Sequence, residues 1–415
     1  MACQAITPKS LSKYIYKSDI YNYKELQDPV NKKVDVTKKI QFVNSAFLTS
    51  KGINVNLNLG KVIRNRKDCY ATKEYDEVLL SRHLAGNIKS VIKRAKSRNQ
   101  ISRELVQHLK EGTSYRVYRL DIEKFFEKTK IHTITRALEF SSVSDQTRIL
   151  VSSIIGNANL QFQCGLPRGV EFSSSIADLI LQEFDSTLKN HDDVFYYCRY
   201  VDDILIITNG FEDPRAFIRL VKSKLPNELN LNYNKQVVVD VQKRKKAHAE
   251  VACFEYLGYM YTVIDSATRY NQAVFREIKV TLSKSKIKKI KTRVSRALYC
   301  YSKNGDFNLL SDRINFLTSN RLMKDKRTNR VIATGIYYNN SNLIGECTDL
   351  IQLDVYLKNA VLGYAISRGA SHFNSLSRIQ ERELLRYSFA SGYRNNNYKR
   401  FSPNRLGEIR DAWRY

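Results

Sequence analysis

Three aspartates in two apolar segments are the residues of this sequence best suited to catalysis. Asp121 lies near the end of the run YRVYRLDI, and Asp202 and Asp203 lie inside the run FYYCRYVDDILIIT. Carboxylate oxygens are the ligands that Mg²⁺ prefers, and the ion keeps part of its water shell, so few protein ligands are needed. Two such ions can activate an attacking 3′-hydroxyl and stabilise a leaving pyrophosphate. The chemistry that this set predicts is two-metal phosphoryl transfer.

The elements that carry these aspartates are predicted to bring them together. Residues 115–122 have the alternation of a strand, and residues 195–208 are typical of two strands that meet at Val201-Asp202. Neighbouring strands lie about 5 Å apart, so a strand end and an adjacent hairpin turn can share a metal. Adjacent acids in an apolar setting are costly without a compensating charge. The alternative is an exposed turn with two solvated aspartates, because aspartate is common in turns.

The charge of the chain indicates a polyanionic partner. Lysine and arginine total 69 against 41 aspartate and glutamate, which gives a formal net charge of +28 in 415 residues. Nucleic acid best offsets such a surplus, and the 26 tyrosines and 18 phenylalanines offer faces for base stacking. An anionic membrane surface and a merely soluble basic protein are the alternatives. The length predicts about two or three domains.

Cysteine usage predicts a reducing, cytoplasmic setting. The cysteines number seven, which is odd, and no C-x-x-C pair occurs, so neither a disulfide framework nor a zinc ribbon is expected. The first residues contain no apolar signal region, and no stretch approaches about 18 uncharged apolar residues. Neither a secretory leader nor a membrane span is therefore predicted.

Hydrophobic periodicity predicts the remaining elements. Helical structure is expected over much of 74–110, and helices at 142–156, 172–190 and 213–226, with a basic helix at 273–300. Strands are expected at 54–59, 235–241 and 253–263, a hairpin at 331–338, and a loop at 157–169. The basic helix has the pattern of a solvated amphipathic helix, and its lysines and arginines also suit contacts with nucleic-acid phosphates.

The aspartates belong to a series of five segments in a fixed order. The segments are RLDIEKFF at 119–126, GLPRG at 165–169 followed by Ser173, YVDD at 200–203, LNLN at 229–232 with Lys235, and FEYLGY at 254–259. This series resembles the catalytic motifs of the reverse transcriptases. Each segment alone is a weak signal, whereas their common order over 121–259 is specific to that family.

The resemblance implies a role for the three aspartates and for Lys235. Asp121, Asp202 and Asp203 would bind two Mg²⁺ ions, with the Ile122 carbonyl assisting and Mn²⁺ as an alternative metal. Lys235 would donate a proton to the leaving pyrophosphate as general acid. The plainer interpretation of Lys235 is a solvated surface lysine.

The resemblance also implies a nucleotide-binding set that consists of Phe126, Arg168, Gly169 and Tyr200. The Phe126 ring would fill the space of a ribose 2′-hydroxyl and so select dNTPs, although the ring also suits plain core packing. Gly169 would let the backbone approach the nascent base pair. Two positions depart from the family pattern: Arg168 stands where Gln is frequent, and Ser174 follows the serine of this motif where Pro is frequent. The template contacts are therefore expected to differ from that pattern.

The fold that the resemblance implies is α+β: a right-hand polymerase with fingers and palm, followed by a mostly α-helical, thumb-like domain. Residues 1–115 would form the N-terminal segment and fingers, 116–270 the palm with a fingers insertion at about 130–170, and 271–415 the basic helical domain. Within the fingers, Arg64, Arg66 and Lys67 are candidates for binding the triphosphate.

Among the reverse transcriptases, the wording around the motifs is most similar to the bacterial defence-associated enzymes of the abortive-infection and unknown-group type. The similarity is carried by SYRVYRLDIEKFFE, LPRGVEFSSSIADLILQEFD and INFLTSNRLMKDKRTNRVIATGIYYNN, and it runs over roughly 80–340. It implies an RNA-directed DNA polymerase that acts against phage, with dNTPs as substrates, a noncoding RNA as template and DNA as product. A homo-oligomer or a partner protein is compatible with it, and no membrane partner is expected.

Two alternatives stay open. One is a template-independent or protein-primed DNA polymerase of the abortive-infection type. Its primers would be Tyr415 or the tyrosines at 14–23, because chain termini can reach an active site. The other is a non-catalytic RNA-binding scaffold with a degenerate site, and the intact aspartates argue against it.

Overall fold

A computed structural model of the chain describes residues 4–16, 18–19, 23–28, 35–64, 67–93, 95–242, 249–265, 276–325, 330–366 and 375–413, with the backbone alone at 64 and 364–366. The chain divides into two compact units. The first comprises Met1–Ser97, Ser114–Val241 and Lys326–Thr328, and the second comprises Arg98–Thr113, Gln242–Asp325 and Asn329–Tyr415. Both units combine helices with antiparallel sheets, so the fold class is α+β, as predicted.

Helices make up most of the regular structure. In the first unit they span Pro8–Ser12, Val36–Thr49, Tyr75–Val91, Phe125–Lys128, Ile131–Glu139, Asp145–Phe162, Ser173–Ile180, Gln182–Lys189 and Pro214–Ser223. In the second they span Arg98–Leu109, Lys284–Asn304, Phe307–Thr318, Thr348–Ile366, Arg378–Leu384, Phe389–Arg394 and Pro403–Asp411. Several starts are encoded locally, since Ser144, Asp213 and Ser283 each accept a backbone hydrogen bond from the first turn, as N-cap residues do.

The strands of the described residues form four antiparallel groups. In the first unit, β1 (Leu59–Arg64) pairs with β2 (Lys67–Thr72), and a four-stranded sheet has the order β4-β5-β3-β6, with β3 at Tyr115–Asp121, β4 at Val194–Tyr200, β5 at Asp203–Thr208 and β6 at Val237–Val241. In the second unit, β7 (Glu250–Tyr256), β8 (Tyr259–Ile264) and β9 (Glu277–Leu282) form a sheet in chain order, and β10 (Asn320–Lys324) pairs with β11 (Val331–Gly335).

The four-stranded sheet positions the predicted site. Its two inner strands, β3 and β5, are buried along most of their length, and Ile204 to Ile207 are fully buried. A strand that is covered on both faces favours such a continuous apolar run. The core beneath it joins Leu120 and Ile206 to the buried Phe184 of the helix Gln182–Lys189. The sheet is thus a rigid base for residues at its strand ends.

The second unit has a core of its own. Its helices Lys284–Asn304, Phe307–Thr318 and Thr348–Ile366 bury apolar side chains that include Leu298, Ile314 and Leu353. Tyr259 and Tyr261 of β8 are fully buried. Within the described ranges, no helix is long and apolar enough to cross a membrane. None of the cysteines that the structure describes forms a disulfide.

The predicted strand at 54–59 is wrong. Its alternation is real, because Val55, Leu57 and Leu59 are buried, but β1 begins only at Leu59. The backbone before it is hydrogen-bonded to side chains instead of a strand: Val55 N–H donates to Ser153 Oγ at 2.7 Å, and the Val55 carbonyl accepts from Asn157 at 3.0 Å. Alternating burial therefore does not by itself create a ladder.

The predicted basic helix at 273–300 is wrong at its start. Residues up to 275 there lie outside the described residues, 277–282 form β9, and the helix begins at Lys284 and extends to Asn304. Ile278, Val280 and Leu282 are buried on one face of β9, so the period is two.

Other boundaries also differ. The helix predicted at 142–156 spans Asp145–Phe162, so it occupies the first half of the loop predicted at 157–169. The strand predicted at 253–263 is a hairpin, because Leu257 and Gly258 have φ of +46° and +76° and turn the chain between β7 and β8. The hairpin predicted at 331–338 contains only β11, whose partner strand comes earlier in the chain.

Candidate active site

Strand register brings the three aspartates to one end of the four-stranded sheet. Asp121 ends β3 and lies directly opposite Asp203, the first residue of β5. Asp203 in turn lies opposite Tyr200, the last residue of β4, so Asp202 occupies the turn between the two strands. The Ile122 N–H donates to the Asp202 carbonyl at 3.1 Å and holds this turn against the end of β3. We refer to Asp121, Asp202 and Asp203 as the acidic cluster.

The turn that carries the acidic cluster has an unfavourable backbone conformation. Val201 has φ of +61°, in the left-handed region that β-branched residues avoid. Residues held in such regions cost about 1–3 kcal/mol and persist where the surroundings over-determine them. The Arg199 Nη1 donates to the Val201 carbonyl at 2.9 Å and supplies part of that constraint.

Arg199 supports the turn from behind. Its side chain is 6% exposed, and its Nε and Nη2 donate to both carboxylate oxygens of Asp185 at 2.8 and 2.7 Å. Its Nη1 lies 3.3 Å from Asp178, and the Tyr197 hydroxyl donates to Asp185 at 2.6 Å. Sequence reasoning missed this network. The available signal was an arginine inside an apolar strand, with two aspartates one heptad apart on the preceding helical segment.

The surroundings of Asp203 raise its affinity for protons. Burial raises the pKa of Asp203, and the charges of Asp202 and Asp121 raise it further. Arg119 and Lys235 act in the opposite direction. The site therefore has an excess of negative charge, which a divalent cation would offset.

Lys235 contacts Asp121 directly. Its Nζ lies 3.0 Å from each carboxylate oxygen, and the Asn232 side-chain amide donates to the same carboxylate at 3.2 Å. The Asn232 N–H also donates to the Asp121 carbonyl at 2.7 Å, and Ile122 forms a bridge with Leu231. The Asp121 side chain is 7% exposed and that of Lys235 is 54% exposed. The ammonium thus reaches a buried carboxylate from the solvent side.

The acidic cluster is not a closed metal cage. In the described parts of the chain, no group of three or more His, Cys, Asp or Glu side chains is arranged to hold a metal ion. The residues nevertheless fit Mg²⁺, because Asp121 already binds a cation, the Lys235 ammonium, and because Mg²⁺ needs only one or two carboxylates beside water and phosphate oxygens.

Phe126 and Arg168 contact each other. The Phe126 ring is 8% exposed, and the Arg168 guanidinium lies 4.3 Å from its centroid. The same guanidinium donates to Glu127 through Nε at 2.8 Å and Nη2 at 3.2 Å. Stacking and a two-point ion pair together fix a guanidinium plane. Sequence reasoning missed Glu127, and its position directly after Phe126 gave no separate signal.

The loop at 165–169 is held by hydrogen bonds on two sides. Leu166 N–H donates to the Phe126 carbonyl at 2.8 Å, and the Arg168 carbonyl accepts from Tyr70 N–H of β2 at 2.6 Å. Gly169 has φ of +100°, and a Cβ there would lie 2.6 Å from the Tyr70 carbonyl oxygen. Glycine at 169 is therefore required by contact with β2, whatever it contributes near a base pair.

The other predicted residues are more peripheral. Tyr200 is 40% exposed at the end of β4. Arg64 and Lys67 are paired in the backbone register at the tip of the β1–β2 hairpin, and Arg66 lies outside the described residues. Among the ion pairs of the described residues, none involves Lys67, so its role in binding a triphosphate stays a prediction.

The candidate priming tyrosines are in part packed. Tyr14 packs against His83 and Tyr23 against Tyr75, in tilted arrangements with ring centroids 5.3 and 4.8 Å apart. Arg82 lies 4.2 Å from the Tyr16 ring centroid. The remaining candidates, at 21 and 415, lie outside the described residues.

Comparison with known proteins identifies one domain. Residues 69–261 match the family described as "Reverse transcriptase (RNA-dependent DNA polymerase)", and this range contains all five segments, from 119–126 to 254–259. No curated protein is significantly similar to the chain in sequence. One similar solved structure is described as apo telomerase from Candida Tropicalis truncated from C-terminal domain, with 12% identity and a TM-score of 0.34 over 50% of this chain and 53% of that chain. The chain thus spans about half of that telomerase chain, and so low a TM-score does not establish a shared architecture.

Proposed function

We propose that the chain synthesises DNA from dNTPs on an RNA template by two-metal phosphoryl transfer at the acidic cluster. The proposal rests on the match of residues 69–261 to the reverse transcriptase family. The observation that carries the proposal is the register that sets Asp121 opposite Asp203, with Asp202 in the adjoining turn. Three carboxylates at one sheet end, at the position of the family's catalytic motifs, are the ligands that such a reaction needs.

In the proposed mechanism, the aspartates hold the metal ions and orient the reacting groups. When bound, Mg²⁺ would lower the pKa of the attacking hydroxyl and neutralise the charge that develops on the leaving group. Asp121 and Asp203 would supply carboxylate oxygens from two adjacent strands, and Asp202 would supply a third from the turn. The buried Ile122 carbonyl would assist. The rigid sheet would hold all of them before substrate arrives.

We propose two successive tasks for Lys235. In the present contact its ammonium offsets the charge of Asp121. Its 54% exposure leaves it within reach of solvent and of a polyphosphate, so it is also the candidate general acid for the leaving pyrophosphate. Lys235→Arg keeps the charge but not an accessible proton, so it separates the two tasks.

Phe126 is proposed as the residue that excludes ribonucleotides. Its ring is buried except for a small face, and Arg168 with Glu127 holds it from one side. A ring that cannot rotate away rejects a 2′-hydroxyl better than a mobile one, because the clash cannot be relieved. In this arrangement Arg168 acts on the nucleotide through Phe126.

The test uses the purified full chain with Mg²⁺, labelled dNTPs and a primed RNA template. We expect DNA product from the wild type and none from Asp202→Ala or Asp203→Ala. Product that persists in both variants would identify a contaminant. Absence of incorporation by the wild type, on the added template and on RNA that copurifies, would refute the proposal.

For the biological setting, we propose that the template is an associated noncoding RNA and that the DNA product serves antiphage defence. The support is the resemblance of 80–340 to bacterial defence-associated reverse transcriptases. Sequencing the RNA that copurifies should give one dominant species, and RNase pretreatment should abolish synthesis. Synthesis that survives RNase would favour the untemplated alternative. A phage plaque assay with wild type and Asp202→Ala tests the defence role.

A further inference from the structure

Two cationic side chains lie beside one buried tyrosine in the second unit. The Arg98 Cζ and the Lys286 Nζ are each 5.0 Å from the centroid of the Tyr259 ring. Tyr259 is fully buried, and Arg98 and Lys286 are both half-buried. We refer to Arg98 and Lys286 as the cation pair. Neither residue belongs to the acidic cluster or to the predicted nucleotide-binding set.

Local structure fixes both members of the cation pair. Arg98 is the first residue of the helix Arg98–Leu109, and a Cβ on Gly258 would lie 3.1 Å from its Nη2, so the guanidinium lies against the β7–β8 turn. Lys286 is in the first turn of the helix Lys284–Asn304. Its Nζ and the Tyr259 hydroxyl both donate to the Asn339 carbonyl, at 3.2 and 3.3 Å.

Within the described residues, no carboxylate is paired with these cations. The Nε and Nη2 of Arg98 are buried without a hydrogen-bond partner. Burial and the charge of Arg98 lower the pKa of Lys286 to about 7, and no acidic group acts against them. Buried charges are normally paired, because an isolated one loses its hydration without compensation. The cation pair is therefore costly to the fold as it stands.

We propose that Arg98 and Lys286 together bind a phosphodiester group of a nucleic-acid strand. A phosphate offers several acceptor oxygens to two neighbouring donors, and a guanidinium and an ammonium are the side chains that bind it best. The first turn of the helix that carries Lys286 adds backbone dipoles of the same sign. The choice of a strand over a small phosphate rests on the proposed polymerase function and on the net charge of +28.

The chain offers a matched control on the same helix. Lys303 Nζ lies 4.7 Å from the centroid of the Tyr299 ring, so it has the same lysine-on-tyrosine contact. Tyr299 is 55% exposed, and the pKa of Lys303 is raised by its contact with that tyrosine. Lys303→Met thus removes one lysine charge of the same helix without touching a buried site.

The experiment measures binding of labelled single-stranded RNA and DNA oligonucleotides to the full chain by fluorescence anisotropy at several salt concentrations. Lys286→Met and Arg98→Met should each weaken binding about tenfold or more, the order of one lost charge-assisted hydrogen bond. Each should also reduce the salt slope by about 0.7. Lys303→Met should stay within about twofold of wild type, and the Tm of Lys286→Met should equal or exceed that of wild type.

Equal losses in Lys286→Met and Lys303→Met would overturn the proposal, because they would indicate general surface charge. Wild-type affinity in Lys286→Met and Arg98→Met would overturn it as well. Displacement of the labelled strand by equimolar inorganic pyrophosphate would assign the site to a small polyphosphate instead. Because the assay measures binding without incorporation, a chain that binds as expected but makes no DNA would refute only the polymerase function.

Discussion

The acidic cluster and the cation pair are both groups of like charge, but the protein compensates only one of them. At the acidic cluster, Lys235 and Asn232 contact Asp121, and Arg119 acts on Asp203. At the cation pair, Asn339 supplies one carbonyl and no described acid is paired with either cation. The first site can therefore exist without its ligand at moderate cost, whereas the second depends more strongly on what binds there.

The difference indicates that the cation pair, unlike the acidic cluster, lacks a compensating charge that a ligand could supply. A cluster with an internal counter-ion must exchange that ion when it takes up a metal, as Lys235 would on Asp121. A cluster without one gains the whole electrostatic benefit of its ligand. In both cases, removing one charge should weaken function while relieving repulsion in the fold. This combination separates sites kept for a ligand from charges kept for stability.

The largest effect is expected at the acidic cluster. Asp203→Asn should lower DNA synthesis by about 10³-fold or more, because a lost metal ligand removes several kcal/mol of transition-state stabilisation. Its Tm should equal or exceed the wild-type value, because repulsion from Asp202 and Asp121 is relieved. Steady-state incorporation and thermal melting on one preparation measure both.

Asp240→Asn is the control for this pair of measurements. Asp240 lies on β6 of the same sheet, and its side chain is 57% exposed in a surface ion pair with Arg116. This variant should retain wild-type synthesis. A fall in the Tm of Asp203→Asn would show that its carboxylate stabilises the fold, which contradicts the comparison.

The next largest effect is expected where a charge is fully compensated. Arg199→Met removes two guanidinium hydrogen bonds from Asp185, which is 22% exposed and keeps the Tyr197 hydroxyl, so it should lower the free energy of unfolding by about 2–3 kcal/mol. Synthesis should fall as well, because the Val201 turn loses its support. Urea unfolding measures the first, and Arg199→Met with Asp185→Asn should recover part of the stability.

Arg148→Met is the matched control, since its ion pair with Asp145 is exposed, at 36% and 83% for the two side chains. Its stability should change by less than about 1 kcal/mol. Similar losses in Arg148→Met and Arg199→Met would mean that the supporting network contributes no more than a surface pair.

A smaller effect is expected at Arg168, a cation whose counter-charge is Glu127. Phe126→Ala should reduce the preference for dNTPs over rNTPs by about 10- to 100-fold, as expected when one steric contact is removed. Arg168→Gln should reduce it less, and its Tm should fall slightly instead of rising. The ratio of kcat/KM for dNTP and rNTP measures the preference.

The control is Lys128→Gln. Lys128 lies on the same short helix as Phe126, and this variant breaks its ion pair with Glu123. It should leave the preference unchanged. A preference that stays at the wild-type value in Phe126→Ala would show that the ring only packs in the core.

The smallest effect is a pH dependence of stability at the cation pair. The pKa of Lys286 in the fold, about 7, lies below its ordinary value of 10.5, so between these values the unfolded chain binds the extra proton. Stability of the wild type should therefore rise with pH across that window relative to Lys286→Met. The facing Tyr259 does not mask this, because burial raises its pKa further above the window.

The measurement is the Tm of both proteins from pH 7 to pH 9. The advantage of Lys286→Met should be largest at pH 7 and should shrink as pH increases. A constant difference across this range would mean that Lys286 is charged throughout and is not an uncompensated buried cation.

Much of the acidic cluster could be predicted from sequence because its determinants are local. A strand that ends in Asp121 and a hairpin that turns at Val201-Asp202 need only alternation and a short connection to meet. The β9 strand was missed because Ile278 and Leu282 are also spaced as on one helix face, and the basic residues after them favour a helix.

The partners in the supporting contacts could not be predicted, because each contact joins side chains from elements that only the tertiary fold brings together; for Arg199 the sequence offered a signal that a buried arginine needs an acid, but not which acid. Arg199 reaches Asp185 of a preceding helix, and Lys286 meets Arg98 of a helix far earlier in the chain. Neither contact has a sequence period. The same applies to Gly169, whose neighbour, Tyr70, belongs to a separate hairpin.

The two backbone hydrogen bonds that hold residues 165–169 have a thermodynamic consequence. Hydrogen bonds from Leu166 to Phe126 and from Tyr70 to Arg168 fix this loop whether or not a nucleotide is present. The conformational entropy of ordering it is therefore lost during folding and not during each catalytic cycle. Nucleotide binding should then show a favourable enthalpy with little entropic penalty from this loop, and its rate should not be limited by loop closure.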